Sequence, residues 1–519
     1  MVECYLGLDI GHTNVKCVAI TNDGEQVLVL RAPSCRRGGA DKMYEEAVKL
    51  LTQAVNTLRK LRKNVVSIAV SSVGCAGVCL DKDDNVLKIP YIAQNVTLPK
   101  NIRQVTGYPQ DYHNAGRELA GIAQQYPALI PKIHRVMSVG GYIVYRLTGV
   151  QAAEYSTAIS MSLVDVDNNC WWKMLADEIG VDVQVFGPLI ESGVPVARIT
   201  SKAAAETGLS QDVMVVTGGH DYLCAALSAG CANDERMLCV LGSFEMIASF
   251  SRKRTQSFCT NDTNDTNDTN DTNDANDSCD ANDSNDSNNA NDPNEKTLCD
   301  KHVVPGIFAL TQEYHVGSQI EWLRKIMGMP VESKAWDTLW DKLDEMPQSV
   351  VDGSSLMFIP RIGDEGCSAD AAGAFLGLRD YHSQVHMLRA VIEGITLHSR
   401  KILDYQLKKA NIKPKEIKVV GGGARSGFWL GCMADIIGMP LTVPDFEEAS
   451  ATGAAILAGI GIKGFSGFEH ALQIFESRDS KSYKPDTQKT QMWSKIYNER
   501  YLPSRKIMLL FSESQESVL

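Results

Sequence analysis

Two stretches of this sequence share one pattern, an apolar strand that reaches a glycine turn and continues as a second apolar strand. The first covers residues 4–20, and the second covers residues 237–250 with Gly242 and Ser243 at its turn. Strand, tight turn and strand is typical of a β-hairpin, and a turn glycine permits backbone conformations that other residues avoid. The repetition predicts two comparable halves whose hairpins face each other across a cleft.

Short apolar strands alternate with helical stretches over residues 1–250 and again over residues 301–475. Alternation of this kind favours α/β layers in two domains. Residues 476–519 are polar with some helical character, which predicts a helical tail appended to the second domain.

The two halves are separated by an insert of Asn-Asp-Thr-like triplets over residues 259–300. Between Asp262 and Lys296 it holds ten aspartates and one glutamate against one lysine, so this stretch carries −10 of the chain's −12 and leaves −2 for the rest. Having almost no apolar residues, it cannot recover the entropy of ordering, and we expect a disordered surface loop. Calcium binding and glycosylation are the functional alternatives, but the first lacks fixed geometry and the second requires export.

The rest of the composition excludes several classes of function. A near-neutral remainder offers no basic face for nucleic acid. No run of eighteen uncharged apolar residues predicts a membrane span, and Met1 leads directly into a strand rather than a signal segment. We therefore expect a cytoplasmic protein that binds neither nucleic acid nor membrane, with its fourteen scattered cysteines reduced.

Asp9 ends an apolar strand, where a bare carboxylate is costly unless it meets hydrogen-bond donors or a cation. Residues 11–14 follow as a glycine turn, whose N–H groups and Thr13 hydroxyl suit an anion, and Lys16 adds a positive charge. An acid for Mg²⁺ beside donors for phosphate suits a nucleotide polyphosphate. A hairpin with a turn-capping aspartate remains the alternative.

A second acidic residue, Asp221, stands where a strand ending in Gly218 and Gly219 passes into a helix of small residues. The position suits an acid that takes a proton from a bound hydroxyl, which is the one proton that the protein must handle in phosphoryl transfer. An acid at a helix start can also cap the helix, so that role remains open.

A third glycine loop lies within residues 417–429, between a strand and a helix that starts near Ser426. Its glycines let a flat ligand approach the backbone, and the helix N-terminus favours anionic groups. Gly421-x-Gly423-x-x-Ser426 approaches a dinucleotide fingerprint, but serine replaces the third glycine and the opening βαβ context is poor. The sequence contains neither a Walker-type phosphate loop nor a Gly-x-Ser-x-Gly elbow.

The order of these motifs resembles that of the FGGY carbohydrate kinases, within the actin-like ATPase superfamily, over nearly the whole chain outside the insert. The matching segments are Asp9-Ile-Gly-His-Thr-Asn-Val-Lys16, Gly218-Gly-His-Asp221, Gly242-Ser243 and 421–435, supported by 147–156, 389–394 and 448–459. The resemblance implies an α/β fold of two actin-like (ribonuclease H-like) domains. Each would be a mixed five-stranded sheet flanked by helices, with the sugar mainly on the N-terminal side of an interdomain cleft and adenosine on the C-terminal side.

The resemblance also implies roles for individual residues, in an ATP-dependent kinase that phosphorylates a hydroxyl of a ketose or polyol. Asp221 would be the general base, and Asp9 would hold Mg²⁺ through water. The implied ATP-binding residues are Gly11, His12, Thr13, Asn14, Lys16, Gly242, Ser243, Gly317, Gly422, Gly423 and Ser426.

The sequence departs from the family pattern mostly at positions that contact the acceptor substrate in that pattern. The pattern Ser-Gly-Gln-x-His-Gly of pentulose kinases appears here as Ser72-Val-Gly-Cys-Ala-Gly77, so its two polar readers become Gly74 and Ala76. This change disfavours xylulose and glycerol as acceptors. The candidate contacts to a sugar or polyol are Cys75, Gln94, Asn95, Asp111, His113, Asn114, His220 and Asp221. An ordinary surface loop is the alternative for those between residues 94 and 114.

Two further functions remain open. The substituted readers motivate a degenerate member of the family that binds nucleotide and sugar as a sensor, although intact Asp9 and Asp221 argue against it. A dinucleotide-dependent oxidoreductase would instead use residues 421–426. The sequence leaves the sugar, the hydroxyl that is attacked and a homodimeric state undecided.

Overall fold

The structure of the protein is a computed structural model. It describes residues 2–34, 38–90, 92, 95–242, 244–254, 297–314, 316–330, 333–346, 356–360, 373–476 and 480–516. Gln94, Ser243 and most of the acidic insert therefore lie outside the described residues.

The first half of the chain, up to residue 228, alternates strands and helices. Its strands are β1 (Val2–Ile10), β2 (Asn14–Ile20), β3 (Gln26–Pro33), β4 (Lys63–Ser72), β5 (Gly77–Leu80), β6 (Arg135–Ser138), β7 (Ala153–Glu154), β8 (Val164–Asp165), β9 (Cys170–Trp171), β10 (Leu189–Ile190), β11 (Pro195–Arg198) and β12 (Met214–His220). Its helices are α1 (Ala40–Lys60), α2 (Ile102–Thr106), α3 (Ala115–Gln125), α4 (Val139–Thr148), α5 (Tyr155–Ser160), α6 (Lys173–Ile179), α7 (Ser201–Thr207) and α8 (Asp221–Ser228).

The second half has the same alternation. Its strands are β13 (Arg236–Leu241), β14 (Glu245–Ser251), β15 (Thr297–Lys301), β16 (Phe308–Tyr314), β17 (Met357–Ile359), β18 (Ala374–Leu376), β19 (Glu416–Val420), β20 (Leu441–Pro444) and β21 (Ser480–Tyr483). Its helices are α9 (Gly317–Ile326), α10 (Lys334–Asp344), α11 (Gln384–Ala410), α12 (Gly427–Ile437), α13 (Ala449–Gly461), α14 (Phe468–Glu476), α15 (Thr487–Ile496) and α16 (Leu502–Glu516).

Each half is built on one large mixed sheet. The first sheet has the strand order β11-β12-β4-β1-β2-β3, and the second has the order β15-β16-β14-β13-β19-β20-β21. In both, an antiparallel unit of three strands, β1-β2-β3 or β13-β14-β16, continues through a parallel neighbour, β4 or β19. The repeated hairpin pattern in the sequence thus marks two sheets of the same construction.

The α/β architecture of two helix-flanked sheets is confirmed, but the number of strands differs from the expected five in each sheet. The sheets have six and seven strands because short edge strands extend them: β11 in the first, and β15 and β21 in the second. An edge strand needs only one partner, and the polar, largely exposed β21 has no apolar alternation that would predict a strand. Strands β11 and β15 are only four and five residues long.

The structure bears on three predicted boundaries, those of the first domain, the insert and the tail. Strands β13 and β14 pair within the second sheet, which favours a boundary between α8 and β13 rather than at residue 250. Residues 297–300 were expected to belong to the disordered insert, yet they form most of strand β15, because Leu298 and Cys299 are apolar and buried. The tail is not a separate appendage, since Trp493, Tyr497 and Tyr501 are buried in the core of the second half.

Helix α13 connects the two halves, because it belongs to the second half in sequence but packs on the first sheet. A Cβ atom placed on Gly7 of β1 would lie 1.8 Å from the carbonyl oxygen of Ala451 in α13. Tyr5 and Val18 of the first sheet share one buried cluster with Phe250 of the second sheet and with α13. Glycine is required at this contact because the backbones of strand and helix approach so closely.

The structure also describes the state of the cysteines and the character of the helices. Each of the ten described cysteines is a free thiol. Within the part of the chain that the structure describes, no helix combines the length and apolar character needed to cross a lipid bilayer.

Candidate active site

Asp9 is held at the end of β1 by side chains from both neighbouring strands. Its cross-strand partners are Lys16 on β2 and Ser71 on β4. The Ser71 hydroxyl donates to Asp9 Oδ1 at 2.9 Å, and the Lys16 ammonium lies 3.1 Å from Asp9 Oδ2. The carboxylate is thus almost fully buried with a donor on each oxygen, as a buried charge requires.

The charges around Asp9 are tightly linked. Burial raises the pKa of Asp9 above its ordinary value, the nearby Lys16 ammonium opposes that shift, and the negative charge of Asp221 adds to it. In turn, Asp9 raises the pKa of Lys16, against the effect of burial. Glu448, which precedes α13, lies 3.4 Å from the Lys16 ammonium. Lys16 therefore stays charged and links both halves of the chain.

Asp221 opens α8 directly after β12. Residue 220 occupies the N-cap position, and the Asp221 carboxylate accepts a hydrogen bond from the backbone N–H of the next residue, Tyr222, at 2.7 Å. Burial raises the pKa of Asp221 to about 6, and the Lys16 ammonium opposes the shift. An acid with this pKa is ionised at neutral pH yet basic enough to accept a proton.

The register of the first sheet explains why these groups meet. Strands β1, β4 and β12 are parallel neighbours, so their carboxyl ends lie at one edge of the sheet. Asp9 pairs with Ser71, and Ser71 pairs with Gly219, two residues before Asp221. Ligands of open α/β sheets bind at this edge. Asp9 and Asp221 consequently lie at the same edge of the sheet, near enough for the charge of Asp221 to act on Asp9.

The two hairpin turns face each other at the same place. The first is closed by a hydrogen bond from Gly11 N–H to the Asn14 carbonyl at 3.1 Å, and the second by one from Gly242 N–H to the Phe244 carbonyl at 2.9 Å. The rings of His12 and Phe244 meet edge to face, with centroids 6.4 Å apart. This contact joins the tips of the two hairpins.

Beside the second hairpin lies a cavity of about 390 Å³ in the second half of the chain. Four of the residues expected to bind ATP line it, namely Gly242, Gly422, Gly423 and Ser426. Gly421, at their edge, has φ +96°, and a Cβ there would lie 2.5 Å from the Leu241 carbonyl oxygen. The glycine loop thus packs on β13 in a conformation that a side chain would disrupt.

Trp340 and Asp344, both on α10, also line this cavity, although no sequence motif identified them. Trp340 stacks on Trp429 with ring centroids 6.4 Å apart. Asp344 accepts hydrogen bonds from the Ser426 hydroxyl at 2.9 Å and from the Phe428 N–H at 2.8 Å. Asp344 therefore holds the glycine loop at the start of α12. Only the aromatic spacing of Trp336 and Trp340 could have drawn attention to this helix.

Thr13 lies in the first hairpin turn, and Gly317, another residue expected to bind ATP, is the first residue of α9. Gly317 does not line the cavity, but Ile320, almost one helical turn later, does. Its place at a helix N-terminus next to the cavity is compatible with a backbone contact to phosphate.

The expected acceptor contacts fall into two groups, of which the first lies beside Asp221. His220 is buried against Gly74, where a Cβ atom would lie 2.7 Å from His220 Nδ1 and 2.1 Å from the Ser160 hydroxyl. The His220 Nε2 atom is 3.5 Å from Asp221 Oδ1. The His220 ring thus occupies the space that a polar side chain at position 74 would fill.

The second group has mainly structural or exposed positions. Asn114 is buried and caps α3 by accepting from the Arg117 N–H, while its amide donates to Ser162 at 2.6 Å. Asn95, Asp111 and His113 are exposed. The half-buried Cys75 offers its carbonyl oxygen to the N–H at the start of α3. Exposed side chains can still contact a bound acceptor, so the contacts of Cys75, Asn95, Asp111 and His113 stay predictions.

Several known proteins are similar to this chain in sequence or in fold. The N-terminal domain model of the FGGY family of carbohydrate kinases matches residues 4–228, and its C-terminal domain model matches residues 289–462. A xylulose kinase of Staphylococcus epidermidis is 24% identical over 518 residues, covering 96% of this chain and 95% of the relative. An L-xylulose/3-keto-L-gulonate kinase of Escherichia coli is 22% identical, covering 96% of each. The structure of a gluconate kinase from Lactobacillus acidophilus superposes with a TM-score of 0.79 at 17% identity, covering 99% of this chain and all of the other.

Proposed function

The chain belongs to the FGGY family of carbohydrate kinases, and from that premise we propose that it transfers the γ-phosphate of ATP to a hydroxyl of a ketose or polyol, with Asp221 as the general base. The observation that carries the proposal is the meeting of Asp9, Lys16 and Asp221 at the sheet edge where the two hairpin turns face each other. Phosphoryl transfer relies mainly on positioning and charge stabilisation, which such a site supplies.

In this proposal the nucleotide spans the two halves. Adenosine occupies the cavity lined by Gly422, Gly423 and Trp340, and the phosphates extend towards the turns at residues 11–14 and 242–244. Peptide N–H groups in these turns and the Lys16 ammonium provide donors and positive charge for the phosphates. Ser243 lies outside the described residues, and its role near the γ-phosphate stays a prediction.

The residues at the phosphate end also suit Mg²⁺. Asp9 presents a buried carboxylate beside the first turn, where a Cβ on Gly11 would lie 2.9 Å from the Asn14 carbonyl oxygen and 3.6 Å from Asp9 Oδ2, so a side chain at position 11 would disturb the turn next to this carboxylate. Carboxylate oxygen is a preferred ligand of Mg²⁺, which commonly binds through water and substrate phosphates. When bound, the ion would neutralise phosphate charge; Asp9 would hold it there.

Asp221 performs the proton transfer. A hydroxyl oxygen of the acceptor forms a bond to the γ-phosphorus while the bond from that phosphorus to the β–γ bridging oxygen breaks, which releases ADP. The hydroxyl proton moves to the Asp221 carboxylate and then to solvent. Burial keeps this carboxylate basic, and closure of the site against water prevents hydrolysis from competing.

An acceptor panel tests the proposed function. ADP release should be measured with D-xylulose, L-xylulose, L-fuculose, glycerol, glucitol and gluconate, and the phosphate ester should be identified by mass. We expect ADP formation that depends on at least one acceptor and is matched by its phosphate ester. Saturable nucleotide and sugar binding without ADP formation would instead favour the sensor. The panel also tests the expectation that xylulose and glycerol are poor acceptors.

Replacing Trp340 with alanine is expected to raise KM for ATP roughly tenfold while kcat changes little, because loss of an aromatic stacking surface typically weakens base binding by about 1–3 kcal/mol. Steady-state kinetics at saturating acceptor measure the effect. Trp322→Ala is the matched control, since Trp322 is exposed and stacks on Phe358 and Phe375 outside the cavity. An unchanged KM for ATP in Trp340→Ala would place the base elsewhere.

A further inference from the structure

Strand β16 of the second half turns one face towards the first half. Side chains alternate along a strand, so Thr311 and Glu313 share a face and Tyr314 lies on the other. The Thr311 hydroxyl donates to the Tyr222 hydroxyl oxygen at 3.1 Å, next to Asp221, whereas Tyr314 is buried in the core of the second half. Glu313 is therefore presented to the space around Asp221.

Glu313 bonds across the cleft to the segment that the sequence assigned to the acceptor. The Tyr112 hydroxyl donates to Glu313 Oε1 at 3.1 Å. Tyr112 stands between Asp111 and His113, and its ring packs edge to face on Tyr108. Glu313 is only half-buried. An ionised carboxylate can accept several hydrogen bonds, so this one leaves acceptor capacity for a ligand.

The charges near Glu313 show what it faces. Burial raises the pKa of Glu313 to about 7, and the negative charges of Asp300 and Asp221 act in the same direction. These effects add because a like charge nearby disfavours ionisation of a carboxyl group, as burial does. The hydrogen bonds from Thr311 to Tyr222 and from Tyr112 to Glu313 place Glu313 on the side of β16 that faces the Asp221 region of the first half.

A neighbouring carboxylate shows how Glu313 differs from a structural acid. Asp300 is fully buried and accepts hydrogen bonds from the Tyr108 hydroxyl at 2.8 Å and the Tyr222 hydroxyl at 2.7 Å. These donors satisfy it as a buried charge requires. Glu313, with one tyrosine donor and partial exposure, is not enclosed in this way.

His220, next to Asp221, also has unused hydrogen-bonding capacity on the side of its ring that faces Gly74. His220 is buried, and its Nδ1 atom has no hydrogen-bond partner among the described residues. Buried polar atoms are rarely left unpaired, and a hydroxyl of a bound acceptor would pair this one. His220 and Glu313 would then contact the acceptor from opposite halves.

We propose that Glu313 accepts hydrogen bonds from hydroxyl groups of the acceptor and that the site consequently selects neutral polyhydroxyl compounds over sugar acids. The inference rests on the proposed kinase function and specifies its substrate class. A carboxylate on the acceptor would face the charges of Asp221 and Glu313, while Lys16 is already engaged with Asp9 and Glu448. Like charges in a partly buried site repel strongly.

Kinetics with matched acceptors test the proposal. Xylitol should be compared with D-xylonate, and glucitol with gluconate, together with D-xylulose, at pH 8.5 where Glu313 is ionised. For the wild-type protein we expect kcat/KM at least about tenfold higher for the neutral member of each pair. Glu313→Ala should raise KM for the neutral acceptor roughly 10- to 100-fold, with KM for ATP unchanged, because a hydrogen bond to a charged group is lost.

Glu313→Gln preserves the shape of the side chain and removes its charge. It should shift the acid-to-neutral ratio of kcat/KM at least about tenfold towards the acids, since the repulsion is lost. Tyr112→Phe should raise KM for the neutral acceptor by a smaller factor, about three- to tenfold. Glu235→Gln is the control, because Glu235 pairs with Lys415 on the surface, and its kinetics should match the wild type.

Melting temperatures identify variants that fail to fold. If Glu313→Ala fails to fold, the near-isosteric Glu313→Gln provides the test instead. Wild-type preference for the acids, or Glu313 variants with unchanged KM and unchanged acid-to-neutral ratio in an active kinase, would overturn the inference alone. Absence of any acceptor-dependent ADP formation by the wild type would overturn the proposed function and this inference together.

Discussion

Replacing Asp221 with asparagine is expected to lower kcat by about 10²–10⁴, the usual contribution of a general base. Asparagine keeps the size of the side chain and can still meet the Tyr222 N–H, but it cannot accept the acceptor's proton. ATP affinity should remain close to that of the wild type, because the nucleotide cavity lies in the second half. Steady-state kinetics measure kcat, and an equilibrium binding titration measures the affinity for ATP.

The pH dependence provides the signature that a structural role would not give. Asp221 must be deprotonated to act as a base, and its pKa is raised to about 6, so wild-type kcat should fall as the pH drops through that value. The Asp221→Asn variant should lose this acidic limb. The matched control is Asp212→Asn, because Asp212 is an exposed acid paired with Arg198 at the end of β11. This variant should retain the wild-type kcat and the acidic limb of its pH profile. Turnover by Asp221→Asn within a few-fold of wild type would contradict the assignment.

The parts of the site that the sequence predicted are those written in contiguous residues. The turn after β1 carries its glycine, its hydroxyl and its lysine within a few positions, and the antiparallel register of β1 and β2 then places Lys16 opposite Asp9. Asp221 follows its strand directly, and parallel pairing brings the ends of β1 and β12 to one edge. Local pattern and sheet geometry together were sufficient there.

The parts that the sequence missed depend on contacts between distant segments. Asp344 and Ser426 are 82 residues apart in the sequence, and Tyr112 and Glu313 are 201 residues apart. No local sequence pattern therefore predicts either hydrogen bond. Asn114 is predicted at the acceptor, but an asparagine before a helix can also cap it, and its side chain accepts a hydrogen bond from the Arg117 N–H. The two long-range pairs depend on tertiary contacts that residue type alone does not indicate.

Helix α13 is another feature that the sequence did not predict, and its contact with β1 leads to the second large effect. Gly7→Ala is expected to lower the free energy of unfolding by roughly 3 kcal/mol, at the upper end for overpacking, because backbone atoms cannot rotate away from the new methyl group. The Cβ would meet the Ala451 carbonyl oxygen at 1.8 Å and the Ala455 nitrogen at 2.5 Å. The urea midpoint measures the loss. Gly427→Ala is the control, since a Cβ there meets nothing within 4 Å.

The same substitution should also reduce kcat at temperatures where the variant is folded. Gly7 and Asp9 lie on one face of β1, and Glu448, which contacts Lys16, immediately precedes α13. Pushing the helix away from the strand therefore moves Glu448 and the Ser450 carbonyl, which lies 3.4 Å from the Ser71 hydroxyl, away from the pocket that holds Asp9. A Gly7→Ala protein with wild-type stability would show that the strand and helix tolerate separation, and unaltered kcat in a destabilised variant would show that α13 does not position the Asp9 pocket.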